Sequence, residues 1–211
     1  MSAHLVIGHN ARFVPGRQDQ NDKSISYPPG YGINTHLLGI LEGKVHHLLM
    51  NSGPIGPEDL DQTEVELEKI EKCTPVGLDI NIETYWPLKV VPPRHPHPVE
   101  FAVMGWFCSY VVAEEDERNG KSFRYPPQVV PCLVGERVLK DGRRFNEAIR
   151  LEVPGAEEAI LTSDTDLIET IKDTYDVMRK KYLFRSQFTA RKLGRFWVFQ
   201  SADAEPVAAA G

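Results

Sequence analysis

The chain has few cysteines, no long apolar run and no excess of positive charge, and each shortage closes a class of function. Its 211 residues include three cysteines, Cys73, Cys108 and Cys132. The number is odd, the spacing is wide and no paired-cysteine motif occurs. That excludes a disulfide framework and a zinc ribbon, and leaves reduced, buried thiols as the expectation. No stretch of about 18 residues is continuously apolar, and the first residues lack a basic-then-apolar leader, so no membrane partner is expected and the cytoplasm is the expected compartment. The net charge is −6, which argues against a protein that holds nucleic acid over its whole surface; any such contact has to be local. Catalytic signatures are missing too: there is no Gly-x-Ser-x-Gly elbow, Walker-type phosphate loop or Gly-x-Gly-x-x-Gly fingerprint. No cofactor follows from the sequence, and an enzyme is left without support. At 41% apolar and 26% charged residues, the composition is that of an ordinary globular protein.

What is present is concentrated near the C-terminal end. Val177 to Ala202 carries seven cations (Arg179, Lys180, Lys181, Arg185, Arg191, Lys192 and Arg195) and six aromatics (Tyr182, Phe184, Phe188, Phe196, Trp197 and Phe199), with no acid. Cations neutralise phosphates and aromatic rings stack on unpaired bases, so this interleaving points to single-stranded nucleic acid. The plainer reading is a basic helix end followed by a core strand, with the rings buried and the cations solvated.

Along the chain, Leu5, Ile7, Ala11 and Phe13 alternate as in a half-buried strand, ended by Pro15-Gly16. Arg17 to Ser24 reads as an exposed loop. After Tyr27-Pro28-Pro29-Gly30, the spacing of Leu37, Leu38, Leu41, Val45, Leu48 and Leu49 predicts a helix from Asn34 or Thr35 onward, with Gly39 and Gly43 inside it. Glu58 to Lys72 predicts an acidic surface helix. Leu78, Ile80 and Ile82 alternate as a strand, Pro92 to Pro98 forms a stiff connector, and Val99 to Val112 is apolar enough for a central strand. Glu114 to Tyr125 and Arg137 to Phe145 read as hairpins, Ser163 to Tyr182 as a helix with an apolar stripe, and Arg195 to Gln200 as a last strand. The whole is expected as a single α+β domain over 1–211, with 92–98 as the place where two sub-units would divide. Lys23-Ser24 with Tyr27-Pro28-Pro29 recurs as Lys121-Ser122 with Tyr125-Pro126-Pro127, an echo that two copies of a βαβ-type unit would leave.

The best metal-ligating pattern is His95-Pro96-His97 followed by Glu100, where two imidazoles two apart on an extended chain point the same way. A proline-stiffened surface loop is the preferred reading of it. His46-His47 on the expected helix would diverge and not chelate together.

The opening run, Ala11-Arg12-Phe13-Val14-Pro15, then Ile25-Ser26-Tyr27-Pro28-Pro29 and Leu37-Leu38-Gly39-Ile40-Leu41-Glu42, resembles the start of the RAMP-type CRISPR subunits that cap the 5′ handle of the guide RNA. The resemblance covers about residues 5–45. It implies a ferredoxin-like (RAMP/RRM-like) antiparallel sheet with helices on one face and β-hairpin extensions, binding single-stranded guide RNA beside the other protein subunits of a large antiviral ribonucleoprotein. Members that process the guide precursor use a tyrosine where this chain has Val45, with His46 next to it, so a non-catalytic cap is implied. Phosphate contacts are then expected from Arg185, Arg191, Lys192 and Arg195, with Arg12, Lys23 and Lys44 as a second set and Tyr27 or Tyr31 stacking on a base. The alternatives are a structural subunit of a large particle such as a phage virion, and a metal-dependent enzyme using His95, His97 and Glu100.

Overall fold

The structure, a computed structural model, describes residues 3–42, 44–53, 59–88, 99–111, 114–118, 121–125, 128–151, 164–193 and 196–201. The first half runs through β1 (Ala3–Val14), β2 (Arg17–Gln18), β3 (Ser26–Tyr27), β4 (Gly30–Leu41), β5 (Lys44–Asn51), α1 (Leu60–Cys73), β6 (Asp79–Asn81) and β7 (Trp86–Pro87). The second runs through β8 (Val99–Val111), β9 (Glu114–Arg118), β10 (Lys121–Tyr125), β11 (Gln128–Val138), β12 (Arg144–Arg150), α2 (Asp164–Lys181), β13 (Gln187–Leu193) and β14 (Phe196–Ser201). The class is α+β, with a mostly antiparallel sheet and two helices. Strands follow the order β12-β11-β8-β1-β4-β5-β7, while β6 joins the free edge of β1 and β13 joins β8 and carries β14.

The sheet is strongly curled. β12 and β1 are three strand spacings apart in that order, roughly 14 Å on a flat sheet, yet the Asn146 side chain on β12 donates to the Ala11 carbonyl at 3.0 Å. One core cluster forms inside the curl, drawing on Val6, Ile7 and Leu37 from the first half and Phe107, Met104 and Ile171 from the second.

The segment read as a helix from Asn34 is instead the hairpin of β4 and β5, paired from Asn34 with Asn51 through to Leu41 with Lys44. Its leucines satisfy helical spacing only because two alternating strands are joined out of phase. The Gly39-Ile40-Leu41-Glu42 segment on which the resemblance partly rests therefore lies at the end of β4 and the turn after it. The acidic helix is present as α1, where the Asp59 side chain accepts from the Asp61 and Gln62 backbone N–H groups, satisfying donors that a helix start leaves orphaned. The basic last turn of α2, Arg179, Lys180 and Lys181, suits the negative end of its dipole.

The two halves share one plan. β1, β4, β5, α1 and β6 are matched in order by β8, β11, β12, α2 and β13, and the hairpin β2–β3 by β9–β10. The sequence echo falls on β3 and β10, the return strands of those hairpins. Hydrogen bonds repeat as well: Val6 donates to the Leu78 carbonyl and accepts from Gly77 N–H, and Val103 does the same with Ser186 and Arg185. Both long strands skip one residue in their pairing, Ile7 opposite β4 and Met104 opposite β11. The halves meet where β1 crosses β8, with Gly8 opposite Phe107, His9 opposite Trp106 and Asn10 opposite Gly105. Exchanging the halves maps this crossing onto itself. Glycine is required at both corners, because a Cβ on Gly8 would lie 2.2 Å from the Trp106 carbonyl oxygen and one on Gly105 would lie 2.3 Å from that of His9.

A candidate ligand-binding cleft at the crossing of the two halves

The crossing places His9 under the helices. Its ring is fully buried, meets the Tyr175 ring edge-on at 6.4 Å, and has no hydrogen-bond partner at either nitrogen among the described residues. Burial first, and the Arg179 guanidinium second, push its pKa down to about 4. At neutral pH it is an uncharged imidazole with one N–H donor and one lone pair unused.

Above it, Glu71 in the last turn of α1 faces α2. The Tyr175 hydroxyl donates to Glu71 Oε1, and Arg179 Nη2 lies 2.9 Å from Glu71 Oε2. Burial raises the Glu71 pKa, while the Tyr175 hydrogen bond and the Arg179 charge pull it back. Burial, then the Glu71 carboxylate, pushes the Tyr175 hydroxyl well up. Glu71 and Arg179 occupy equivalent places, since each sits one residue after the helix carbonyl that accepts the closing N–H: Ile70 from Thr74 in α1, and Met178 from Tyr182 in α2. The ion pair therefore bridges the same internal symmetry that pairs His9 with Trp106. A cleft of about 240 Å³ opens between these groups, walled by Pro75 and Val76 and rimmed by Lys172 and Asp176.

A second polar group lies deeper in the first half. His36 Nε2 is 2.5 Å from Asn10 Oδ1, and His36 Nδ1 is 3.0 Å from His47 Nε2. Asn10 Nδ2 donates to the Ala11 carbonyl at 2.6 Å, which fixes the amide oxygen toward His36. His36 Nε2 must then be the donor and Nδ1 the acceptor, so His47 Nε2 carries a proton and His47 Nδ1 does not; that nitrogen is buried without a partner among the described residues. The His36 ring stacks on Phe107 at 4.2 Å. Burial pushes His47 down to about 4 and His36 well below the ordinary histidine value, the latter helped by its histidine neighbours. His4 is also fully buried, with neither ring nitrogen partnered among the described residues.

The expected site residues are scattered over the described structure. Arg185 is held by Asp61 and, at 3.9 Å, by Glu64 of α1. Arg12 is half-buried, and Lys23 and Lys44 are exposed. Tyr27 is 41% exposed, with Arg17 over its ring at 5.4 Å. Tyr31 corrects the expectation of base stacking: it is 1% exposed and donates to Glu136 at 2.8 Å, while Arg144 donates to its hydroxyl at 2.7 Å. Arg191 and Lys192 lie on β13, and Arg195 falls outside the described residues. So do His95, His97 and the whole of 92–98; Glu100 is exposed on β8, opposite Thr189. Among the described residues no cluster of three or more His, Cys, Asp or Glu is set to hold a metal. Of the aromatics in the basic segment, Tyr182 and Phe184 pack against the core and Phe188 lies within it. Cys108 and Cys132 are buried as expected, but Cys73 is exposed. No helix among the described residues is long and apolar enough to cross a membrane.

Sequence reasoning did not single out His9 or Glu71, and it placed Tyr175 only in a core stripe. Each is unremarkable in its own segment, and only the crossing of β1 with β8 brings them together. Comparison with known proteins finds no matching family model, no matching curated protein and no matching solved structure.

Proposed function

We propose that the protein binds a small polar organic molecule in the cleft between β1, α1 and α2. The observation that carries this reading is His9, an uncharged, fully buried imidazole at the floor of an open cleft with both nitrogens unpartnered among the described residues. A buried polar atom without a hydrogen bond costs about 1–3 kcal/mol, so a fold that keeps two of them beside a cavity is arranged for a partner that arrives from solution. Apolar walls, a few convergent polar groups and titration shifts in one concavity are the usual features of a ligand site. The test is calorimetry with a panel of amino acids, hydroxy acids, amides and sugars, on the wild type and on His9→Phe. Saturable one-to-one binding of a compound with a hydroxyl or amide end, weakened about tenfold by the substitution, supports the reading. Binding of such a compound that His9→Phe leaves intact rejects it, as does an experimental structure in which protein groups satisfy both ring nitrogens.

A second reading follows the basic end of α2. Arg179, Lys180 and Lys181 are exposed there, in a segment without acids, which supports local contact with single-stranded RNA. In its specific form this is the non-catalytic guide-handle cap within a multi-subunit CRISPR complex. The strand–helix–strand passages β5–α1–β6 and β12–α2–β13 are what support a ferredoxin-like plan for it. Binding of short single-stranded RNA measured against salt decides: replacing Lys180 and Lys181 by alanine should lower the salt slope by roughly one per lost phosphate contact. An unchanged slope removes that role.

A further inference from the structure

Building on the cleft as a ligand site, we infer that its ligand is a compact zwitterion of the amino-acid class whose far end carries a hydroxyl or carboxamide read by the His9 imidazole. The charges around the cleft cancel. Lys172 and Asp176 lie one turn apart on α2 at the rim, and Glu71 faces Arg179 across the internal symmetry. A ligand with net charge of either sign would enter with nothing to balance it, and charges held away from water are costly unless paired. A zwitterion meets a matching charge for each of its own: a carboxylate finds the Lys172 ammonium and the guanidinium N–H groups that Arg179 does not spend on Glu71, and an ammonium finds the Asp176 carboxylate.

The floor narrows the choice further. An uncharged imidazole presents one donor and one acceptor. A carboxylate can meet only the N–H and an ammonium only the lone pair. A hydroxyl or a primary amide can donate or accept, and so matches whichever ring nitrogen the ligand reaches. The cleft volume of about 240 Å³ corresponds to roughly eight waters at ~30 Å³ each, room for a ligand the size of serine, asparagine or glutamine. The second half has no duplicate of this site: the place of His9 is taken there by Trp106, whose indole N–H is already spent on the Tyr182 carbonyl at 2.9 Å. One molecule per chain is therefore expected.

The experiment is competition calorimetry on the full chain with serine, asparagine and glutamine. The controls are glutamate (net negative, acceptor-only far end), 4-aminobutanamide (the amide kept, the carboxylate gone) and alanine (a zwitterion with no polar far end). At least one of the three polar zwitterions should bind at one site, at least about tenfold more tightly than all three controls, the scale of one satisfied hydrogen-bonding group. His9→Phe should cut its affinity about tenfold and leave that of alanine unchanged. Lys172→Met, a substitution at an exposed position that the fold tolerates, should weaken the polar zwitterion and alanine alike. Preference for glutamate or 4-aminobutanamide, or a His9→Phe effect equal for all compounds, overturns the assignment while keeping the cleft as a ligand site. No binding by any panel member in the millimolar range, with both variants folded, overturns the assignment and the ligand-binding reading together.

Discussion

The two halves of this molecule share a scaffold and differ in what they bury. At equivalent positions the first half places His4, His9, His36 and His47 where the second places Phe101, Trp106, Val134 and Asn146. The second set packs. Phe101 and Trp106 are within the core, and Asn146 closes the curl onto Ala11. Among the described residues the first set leaves five buried ring nitrogens without partners, on His4, His9 and His47. One copy of the plan thus supplies stability while the other carries polar groups that cost stability, the usual relation between a scaffold and the site it supports. The backbone device that joins them, two glycines at one crossing, is common to both.

The largest effect expected from breaking this comparison is at that crossing. Gly8→Ala or Gly105→Ala drives a Cβ into backbone atoms of the opposite strand, at 2.2 Å and 2.3 Å, with no flexible side chain that can yield. Either should cost more than about 4 kcal/mol and give little folded protein, judged by soluble yield and thermal melting. If the halves are equivalent the two substitutions are equally damaging, and a well-folded Gly105→Ala beside an unfolded Gly8→Ala would show that they are not.

Acid comes next, because the buried histidines among the described residues all lie in the first half. His9 and His47 fall from 6.5 to about 4 on folding, and burial lowers His36 well below 6.5 as well. Between pH 6.5 and 4 the unfolded chain therefore binds more protons at these sites, and stability declines as pH falls through that window. From pH 7 to 5 His9 and His47 should each remove about 1.5–2 kcal/mol, and the lowered His36 adds to the loss. The raised Glu71 acts in the opposite sense, holding its proton in the folded state above 4.5 and costing stability as pH rises past that value. Urea unfolding at pH 7 and pH 5 measures the net loss. Installing the second half's residues, His36→Val with His47→Asn, should reduce the acid-dependent loss to half or less; an unaltered dependence would place the titrating groups elsewhere.

How much of this was legible in the sequence follows from where the signals live. Strands β1 and β8, the hairpins β9–β10 and β11–β12 and both helices carry their period within one segment, and alternation, capping and the apolar stripe report it. The β4–β5 hairpin was misread because Leu37, Leu38, Leu41, Val45, Leu48 and Leu49 mimic a helical face, and its turn at Glu42 carries none of the Asn-Gly or Asp-Gly chemistry that announces a hairpin. Strand β13 was hidden by its charges. The site itself was out of reach: His9, Glu71 and Tyr175 come from three elements joined by the crossing, and the buried histidines of β1, β4 and β5 become neighbours only through strand register. The echo of Lys-Ser with Tyr-Pro-Pro was a trace of the repeated plan in the sequence, and its described part lies in and beside the short hairpins β2–β3 and β9–β10, not among the site residues.

A smaller effect, of opposite sign, is expected from His4→Phe. His4 occupies the place of Phe101, is fully buried and has no partner at either nitrogen among the described residues, and lies 5.3 Å from the Tyr85 ring, so an apolar ring fits its surroundings. Removing two unsatisfied polar atoms should raise stability by about 1–2 kcal/mol, seen as a higher urea midpoint with unchanged slope. A loss would mean that His4 finds a partner in solution, and the contrast between the halves would narrow to His9, His36 and His47.

The smallest effect sharpens the comparison at one backbone position. Arg185 has φ 65° where its counterpart Gly77 has φ 84°, so the second half holds an arginine in the left-handed region that the first half gives to glycine. That conformation costs an L-residue about 1 kcal/mol or more, while the ion pair with Asp61, whose side chain is 83% exposed, returns at most about 1 kcal/mol. Arg185→Gly should therefore change stability by less than about 1 kcal/mol, because relief of strain is offset by the lost pair and by the freer unfolded chain. An arginine kept at such a position with so little net gain invites a functional reason, and the same variant supplies the test. If the guanidinium is committed to Asp61, Arg185→Gly leaves the salt dependence of RNA binding untouched; if it leaves Asp61 for a phosphate, the slope falls by about one.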